Sequence, residues 1–283
     1  MCHYCDLWGD GMIWYLNPKN YPRNMYTLPK PGKKGESAPT GEADQGAYLK
    51  MEAAIIAAME KGPEEFAKAQ QGYRDILDAA QGSVGGFMGQ VVPLREMERM
   101  VEISAPLGLI GCICRKAMLA IEERTAAECT CMGMGVGMLK WERWPERYKG
   151  GVHWVSTQEA KEWLRDLDRK GFVHSLMLFG SRFIAGICNC DYPVCDALTI
   201  RLDLGLNMMK GHYVAIPDYD LCNGCGICAQ RCQFGALKMN VTLDKANIDQ
   251  MRCFGCGLCE TGCPRGAISL KDRTQLPGLK EVW

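Results

Sequence analysis

Cys222-Asn-Gly-Cys-Gly-Ile-Cys-Ala-Gln-Arg-Cys232 and, after twenty intervening residues, Cys253-Phe-Gly-Cys-Gly-Leu-Cys-Glu-Thr-Gly-Cys-Pro264 are two copies of one spacing, C-x2-C-x2-C-x3-C. Two residues between cysteines let a tight loop wrap one corner of a cubane and aim three thiolates at three irons. The small residues Gly224, Gly226, Gly255 and Gly257 let backbone N–H groups approach the sulfides. The fourth cysteine of each run turns away to the other cluster. The spacing therefore predicts one [4Fe–4S] held by Cys222, Cys225, Cys228 and Cys263, and a second held by Cys253, Cys256, Cys259 and Cys232. Structural zinc also takes CxxC pairs, but as four ligands in two pairs rather than two runs of four with a trailing proline. Gln233 stands where the second run has Pro264, a change of loop stiffness and not of ligation.

Seventeen cysteines in all leave nine outside this repeat. Seven of them fall as Cys112-x-Cys114, Cys129-x-Cys131 and Cys188-x-Cys190-x4-Cys195. Residues i and i+2 share a face on a strand and diverge on a helix, so each pair can offer two thiolates to one metal only from extended backbone. Pro106, Gly111, Gly133, Gly135, Gly137 and Pro193 around the pairs agree with that. A third [4Fe–4S] is the expectation, with Cys112 and Cys114 among its ligands; a zinc site, or buried apolar thiols used as small core residues, are the alternatives. Arg115 suits either a hydrogen bond to cluster sulfides or a salt bridge. Cys2-His-Tyr-Cys5 is a lone CxxC, open to metal binding, to a share in the upstream sites, or to no role. Of His153, His174 and His212, which are scattered, His174 reads as a packed residue.

The rest of the composition bounds the class. Over 283 residues, 33 Lys+Arg balance 33 Asp+Glu, which lacks the basic footprint of a general nucleic-acid binder. Hydrophobic residues at 47% and charged residues at 23% suit a chain that buries a core. No secretory pattern opens Met1 to Leu16, and the apolar segment Ile103 to Cys114 is short of the about 20 residues that span a bilayer. A cytoplasmic, reduced protein follows as the expectation, its cysteines serving as thiolate ligands.

Along the chain, residues 1–46 carry Pro18, Pro22, Pro29, Pro31 and Pro39 with Trp8, Trp14, Tyr15, Tyr21 and Tyr26, and read as an extended arm lying on the body or on a partner. Ala47–Lys61 and Glu64–Ala80 read as a helix pair broken at Gly62-Pro63, with Gly82, Gly85, Gly86 and Gly89 as a loop, then a helix over Leu94–Ile103. Ser156-x-x-Glu159 is a capping box ahead of Ala160, Trp163, Leu164 and Leu167, with Gly171 at the C′ position and a strand over Phe172–Phe179. Gly133-x-Gly135-x-Gly137 lacks the strand and acidic residue of a dinucleotide fingerprint; Met132, Met134 and Met138 read as packing beside a cluster. Neither a Walker loop, a G-x-S-x-G nor an HExxH occurs. No flavin or nucleotide site is recognised.

Residues Leu221–Leu270 resemble a bacterial-type 2[4Fe–4S] ferredoxin domain. Upstream, Cys112-Ile-Cys-Arg115, Cys188-Asn-Cys190 and the helix with its Gly171-Phe-Val-His174 resemble a group of anaerobic ferredoxin-domain proteins, so that the likeness runs from about Val91 to Leu270. The resemblance implies an electron-transfer subunit of a multisubunit anaerobic oxidoreductase complex, with redox protein subunits as partners, no nucleic acid and no membrane span. It carries no catalytic residue over. The expected fold class is α+β: an arm at 1–46, a mainly helical cysteine-rich domain at 47–216, a two-cluster ferredoxin-like module at 217–272 and a tail at 273–283. Two other functions fit less of the sequence. One is a reductase whose upstream cluster binds substrate directly; the other is a redox-sensing regulator built on the Ser156–Lys170 helix, against which the neutral net charge speaks.

Overall fold

The computed structural model of the protein describes residues 2–21, 54–55, 57–79, 87–135, 138, 151–178, 184, 186–205 and 207–283. Seven short strands form one sheet: β1 (Phe87–Val91), β2 (Leu107–Ile110), β3 (Cys131–Met134), β4 (His153–Val155), β5 (Val173–Met177), β6 (Gly186–Cys190) and β7 (Asn207–Met209). Their order is β4-β2-β3-β6-β5-β1-β7, with every pair antiparallel except β1–β7.

Because side chains alternate across a strand, the sheet has two unlike faces. Leu107, Leu109, Met132, Met134, Leu176 and Ile187 share one apolar core with Met97, Met100 and Val101 of the helix Leu94–Ile103 and with Ala160 and Leu164 of the helix Thr157–Lys170. Burying each of the larger apolar side chains contributes ~1.5–3 kcal/mol. The pairing Ile110↔Cys131↔Cys188↔Ser175 runs as a row across β2, β3, β6 and β5, on the face opposite that core. The pleat thus separates packing from thiols.

The capping box is present as expected: Ser156 Oγ accepts from Glu159 N at 3.3 Å while Glu159 Oε2 accepts from Ser156 N at 2.7 Å. Gly171 ends this helix at φ 89°, a left-handed conformation that costs glycine nothing. Helices also cover Leu94–Ile103 and Pro63–Ala79. Ala47–Met51, Glu52, Ala53 and Ile56 of the first predicted helix, together with Gly82, Gly85 and Gly86, lie outside the described residues.

Three expectations differ from the structure. The mainly helical reading of 47–216 did not include the seven-stranded sheet. Residues 2–21 are no extended arm: they form a helix, His3–Trp8, and two single turns, Trp14–Leu16 and Pro18–Asn20. Their Tyr4, Trp14, Tyr15 and Tyr21 are buried in the main core, and Trp14 Nε1 donates to Gln90 Oε1 at 2.7 Å. Gly89, read as loop, lies within β1, where a Cβ would stand 2.4 Å from the Leu176 carbonyl oxygen.

The cysteine-repeat module begins before Pro217. β8 (Tyr213–Pro217) pairs antiparallel with β11 (Ile268–Asp272), and β9 (Leu237–Asn240) forms a hairpin with β10 (Lys245–Ile248). The module is bolted to the sheet domain through residues on either side of Cys232. Arg231 Nη2 donates to the Asp168 carbonyl at 2.7 Å, and Gln233 Nε2 donates to the Gly171 carbonyl at 2.6 Å while its Oε1 accepts from Tyr192 N at 2.8 Å. Glutamine at 233 is therefore a tether, a use that proline could not serve.

Candidate metal centres

Two neighbouring cavities in the module are lined by thiols. Cys222, Cys225, Cys228 and Cys263 line one, with Met239, Ala246 and Ile268. Cys232, Cys253, Cys256 and Cys259 line the other, with Ala215, Phe234 and Phe254. The chain thus brings together the two crossed sets expected from spacing, and the donor chemistry of each set, four thiols on glycine-rich turns, fits a cubane. Local backbone explains the loops. Gly224 and Gly255 sit at φ 75° and 68°, and Gly226 and Gly257, at 75° and 85°, open the short helices Ile227–Arg231 and Leu258–Thr261. Backbone N–H groups aim at sulfur: Ala215 N and Gly255 N donate to Cys253 Sγ, each at 3.4 Å, and Ala267 N to Cys263 Sγ at 3.3 Å.

The two cavities differ in wetness. Cys225 is exposed, and backbone N–H groups of Ala246 and Gly224 hold the Cys222 thiol below its usual range. In the second cavity burial pushes Cys256 up to about 12 and Cys259 upward too. Beside Cys253 lies Arg273, fully buried, whose hydrogen bonds all go to carbonyls: Gly211 at 3.1 Å, Tyr213 at 2.9 Å and Cys253 at 2.7 Å. Its Nη1 has no hydrogen-bond partner among the described residues. A buried cation next to a thiolate set offsets negative charge there, a role the sequence offered no motif for.

At Gly255 a Cβ would stand 2.1 Å from the Tyr213 carbonyl oxygen, and left-handed backbone alone costs a side chain ~1–2 kcal/mol. Gly255→Ala is expected to displace β8 from the loop and lower iron loading of the second cavity at least twofold. Iron assay of the anaerobically purified variant beside the parent checks this.

Upstream, six of the seven predicted thiols converge, and Cys112 and Cys114 do so without the extended backbone expected of them, Cys112 capping the helix Ile113–Leu119 on which Cys114 lies. Cys112, Cys114, Cys131, Cys188, Cys190 and Cys195 form an unbroken run of sulfur-to-sulfur hydrogen bonds. Their neighbours draw Cys112 down to about 3, chiefly through Cys114, and Cys188 to about 5, chiefly through Cys131. Cys131 and Cys190 are raised by the same sharing and by burial. Six thiols linked in one run are the soft donor set that a thiophilic metal takes. Cys129 is the exception. It precedes β3, packs in the main core, and burial with Glu123 and Glu128 nearby pushes it to about 12. The C-x-C pair at 129/131 is split because only its second member is on the strand.

Glu123 organises this corner, unannounced in the sequence. Its buried carboxylate accepts from Cys112 N at 2.9 Å and Thr130 N at 3.0 Å, and pairs with Arg115 Nε at 3.2 Å. Arg115 also reaches Asp191 at 2.8 Å, so it serves in ion pairs. His174 is packed: its Nδ1 lies 2.5 Å from Asn189 Oδ1, across the β5–β6 pair. Of the predicted methionines, Met138 packs with Cys112 and Cys131, whereas Met132 and Met134 lie in the main core. Trp163 Nε1 donates to the Cys129 carbonyl at 2.9 Å; Trp141 and Trp144 lie outside the described residues.

The upstream thiols adjoin the second cavity. Cys190 and Cys195 pack in one buried group with Phe234 and Phe254, with Cys188, Cys232 and Cys256 at its margin. The two phenyl rings stack at 4.1 Å and 10°.

Among the described residues no helix is long and apolar enough to cross a membrane. No curated protein matches the chain. Residues 221–267 match the model of the family described as 4Fe-4S dicluster domain, which supports [4Fe–4S] clusters and an iron–sulfur electron-transfer role for this protein.

Proposed function

We propose that the protein is an electron-transfer subunit that relays single electrons within or to a multisubunit anaerobic oxidoreductase in the cytoplasm, through two [4Fe–4S] clusters in the module and at least one more at the upstream thiols. The observation that carries this reading is the crossed lining of the two cavities, Cys222/Cys225/Cys228/Cys263 and Cys232/Cys253/Cys256/Cys259. When bound, [4Fe–4S] clusters take up and release one electron at a time at potentials set by hydrogen bonds, charge and exposure.

The chain's own residues lay out the order. Cys190 and Cys195 pack in one buried group with the stacked Phe234 and Phe254, Cys188, Cys232 and Cys256 lie at its margin, and Cys225 is exposed in the other set. Cys253 is buried in the second set, and Arg273, fully buried, holds positive charge beside it. Exposed Leu221 precedes the first run and exposed Ile227 lies within it, and exposed Val241 and Leu243 tip the β9–β10 hairpin, which Lys245 Nζ ties to the Cys222 carbonyl. These apolar side chains around the outermost thiols suit docking of a redox partner. The basic residues Lys161 and Arg165 of the Thr157–Lys170 helix are engaged by Glu102 and Glu98 at 2.5 Å each, which does not favour groove binding to nucleic acid.

Iron and acid-labile sulfide per chain, measured on anaerobically purified protein, are expected at about twelve each, with EPR signals of interacting clusters on reduction. A colourless, iron-free preparation would sink the proposal; about eight irons would remove its upstream part.

A further inference from the structure

Two of the cysteines left without a role stand beside a histidine 207 positions along the chain. Cys2 Sγ, Cys5 Sγ and His212 Nε2 all lie within 4.8 Å of one another, and Cys5 Sγ is 3.4 Å from His212 Nε2. Among the described residues no other three such donors converge so closely. The cubane cavities are wider, since each of their thiolates addresses its own iron. Cys2 and His212 are 1% and 5% exposed.

The geometry is that of a single small ion. Tetrahedral zinc with Zn–S ~2.3 Å and Zn–N ~2.0–2.1 Å has S···N edges of ~3.5 Å, against the 3.4 Å observed. Two sulfurs and one imidazole suit zinc, and nothing in the trio suits the oxygen-seeking Ca2+ or Mg2+.

The surroundings are built as a second coordination sphere is. The first turn of the helix His3–Trp8 brings the two thiols to one side, with Cys5 N bonded to the Cys2 carbonyl at 2.9 Å. Fully buried Gln90 donates Nε2 to Cys2 Sγ at 3.9 Å and to the Lys210 carbonyl at 3.0 Å, and is itself fixed by Trp14 Nε1. The His212 ring is held edge-on between Tyr15 and Trp283, with centroids at 5.6 and 5.2 Å, and its carbonyl accepts from Arg273 N at 2.8 Å. Such outer partners orient ligands and fix the ring's direction.

We propose that Cys2, Cys5 and His212 hold one Zn2+, separate from the iron–sulfur sites, which clasps residues 2–21 to the segment joining the sheet to the cysteine-repeat module. Three protein donors leave the fourth tetrahedral position to water.

The test is zinc and iron content of the full chain, purified anaerobically from zinc-supplemented cells, with zinc X-ray absorption. About one zinc per chain is expected, in a shell of two sulfurs and one nitrogen besides oxygen. Cys5→Ser and His212→Gln should each lower zinc at least tenfold with iron and cluster absorption unchanged, and His212→Cys should keep it. Zinc that persists in both variants, a parent with less than a tenth of a zinc, or a loss of one iron in its place overturns the proposal. If the variants lose their iron as well, the parent's spectrum decides: the upstream thiols include no histidine, so an all-sulfur shell overturns the assignment and a mixed shell upholds it. Iron content reads the relay separately, so either idea can fail alone.

Discussion

Cys263→Ala is expected to abolish the cluster of the first cysteine run, not of the run in which residue 263 lies. Iron should fall by about four per chain, the content of one cubane, and the reduced protein should lose the spin coupling between the module's two clusters. The residual EPR spectrum decides the pairing. Crossed ligation predicts that Cys263→Ala and Cys222→Ala leave the same spectrum, and that Cys232→Ala and Cys253→Ala share a different one, following the two cavity linings. Matching spectra from Cys222→Ala and Cys232→Ala would show each run closing on its own cluster and would refute the arrangement. The loss should be near complete, because the cavity is lined by four thiols and a cubane needs all four.

The second large effect concerns the sheet. Cys131→Ala or Cys188→Ala removes one member of a cross-strand pair at the centre of the thiol run. Iron should drop from about twelve to about eight while the coupled EPR signal of the module survives. Cys129→Ala, two positions away but in the main core, should leave iron unchanged. Equal losses in Cys129→Ala and Cys131→Ala would mean that both members of the C-x-C pair are ligands and that the split seen across the sheet is not the bound arrangement.

That contrast shows where sequence reading reached and where it stopped. The two thiol sets that line the module's cavities were legible because cubane chemistry fixes short spacings within each run. Cys188 and Cys190 were legible as a same-face pair because both lie on β6. Cys129 was not, because alternation holds only inside a strand, and β3 starts at Cys131. The sheet itself escaped notice for a related reason. β5 was foreseen within Phe172–Phe179, but β2 (Leu-Gly-Leu-Ile) and β3 (Cys-Met-Gly-Met) are buried on both faces and so show no polar alternation, and their glycines and sulfur residues carry little strand preference. Trp8, Trp14, Tyr15 and Tyr21 signalled by their bulk that this segment would lie on a protein surface, but the prolines further along pointed to an extended arm. His212 could not have been singled out: nothing near it in sequence resembles a ligand motif, and its partners are at positions 2 and 5.

The burial of residues 2–21 against His212 and Trp283 also sets a timetable. Synthesis runs from residue 2 towards residue 212, and domains fold in the order in which they emerge. The seat of Tyr4, Trp14 and Tyr15 is built mostly of residues between 92 and 187, so that aromatic plug can close before His212 has been made. A nascent chain halted before residue 212 would therefore hold its rings packed and yet keep the Cys2 and Cys5 thiols open to whatever else in the cell seeks sulfur.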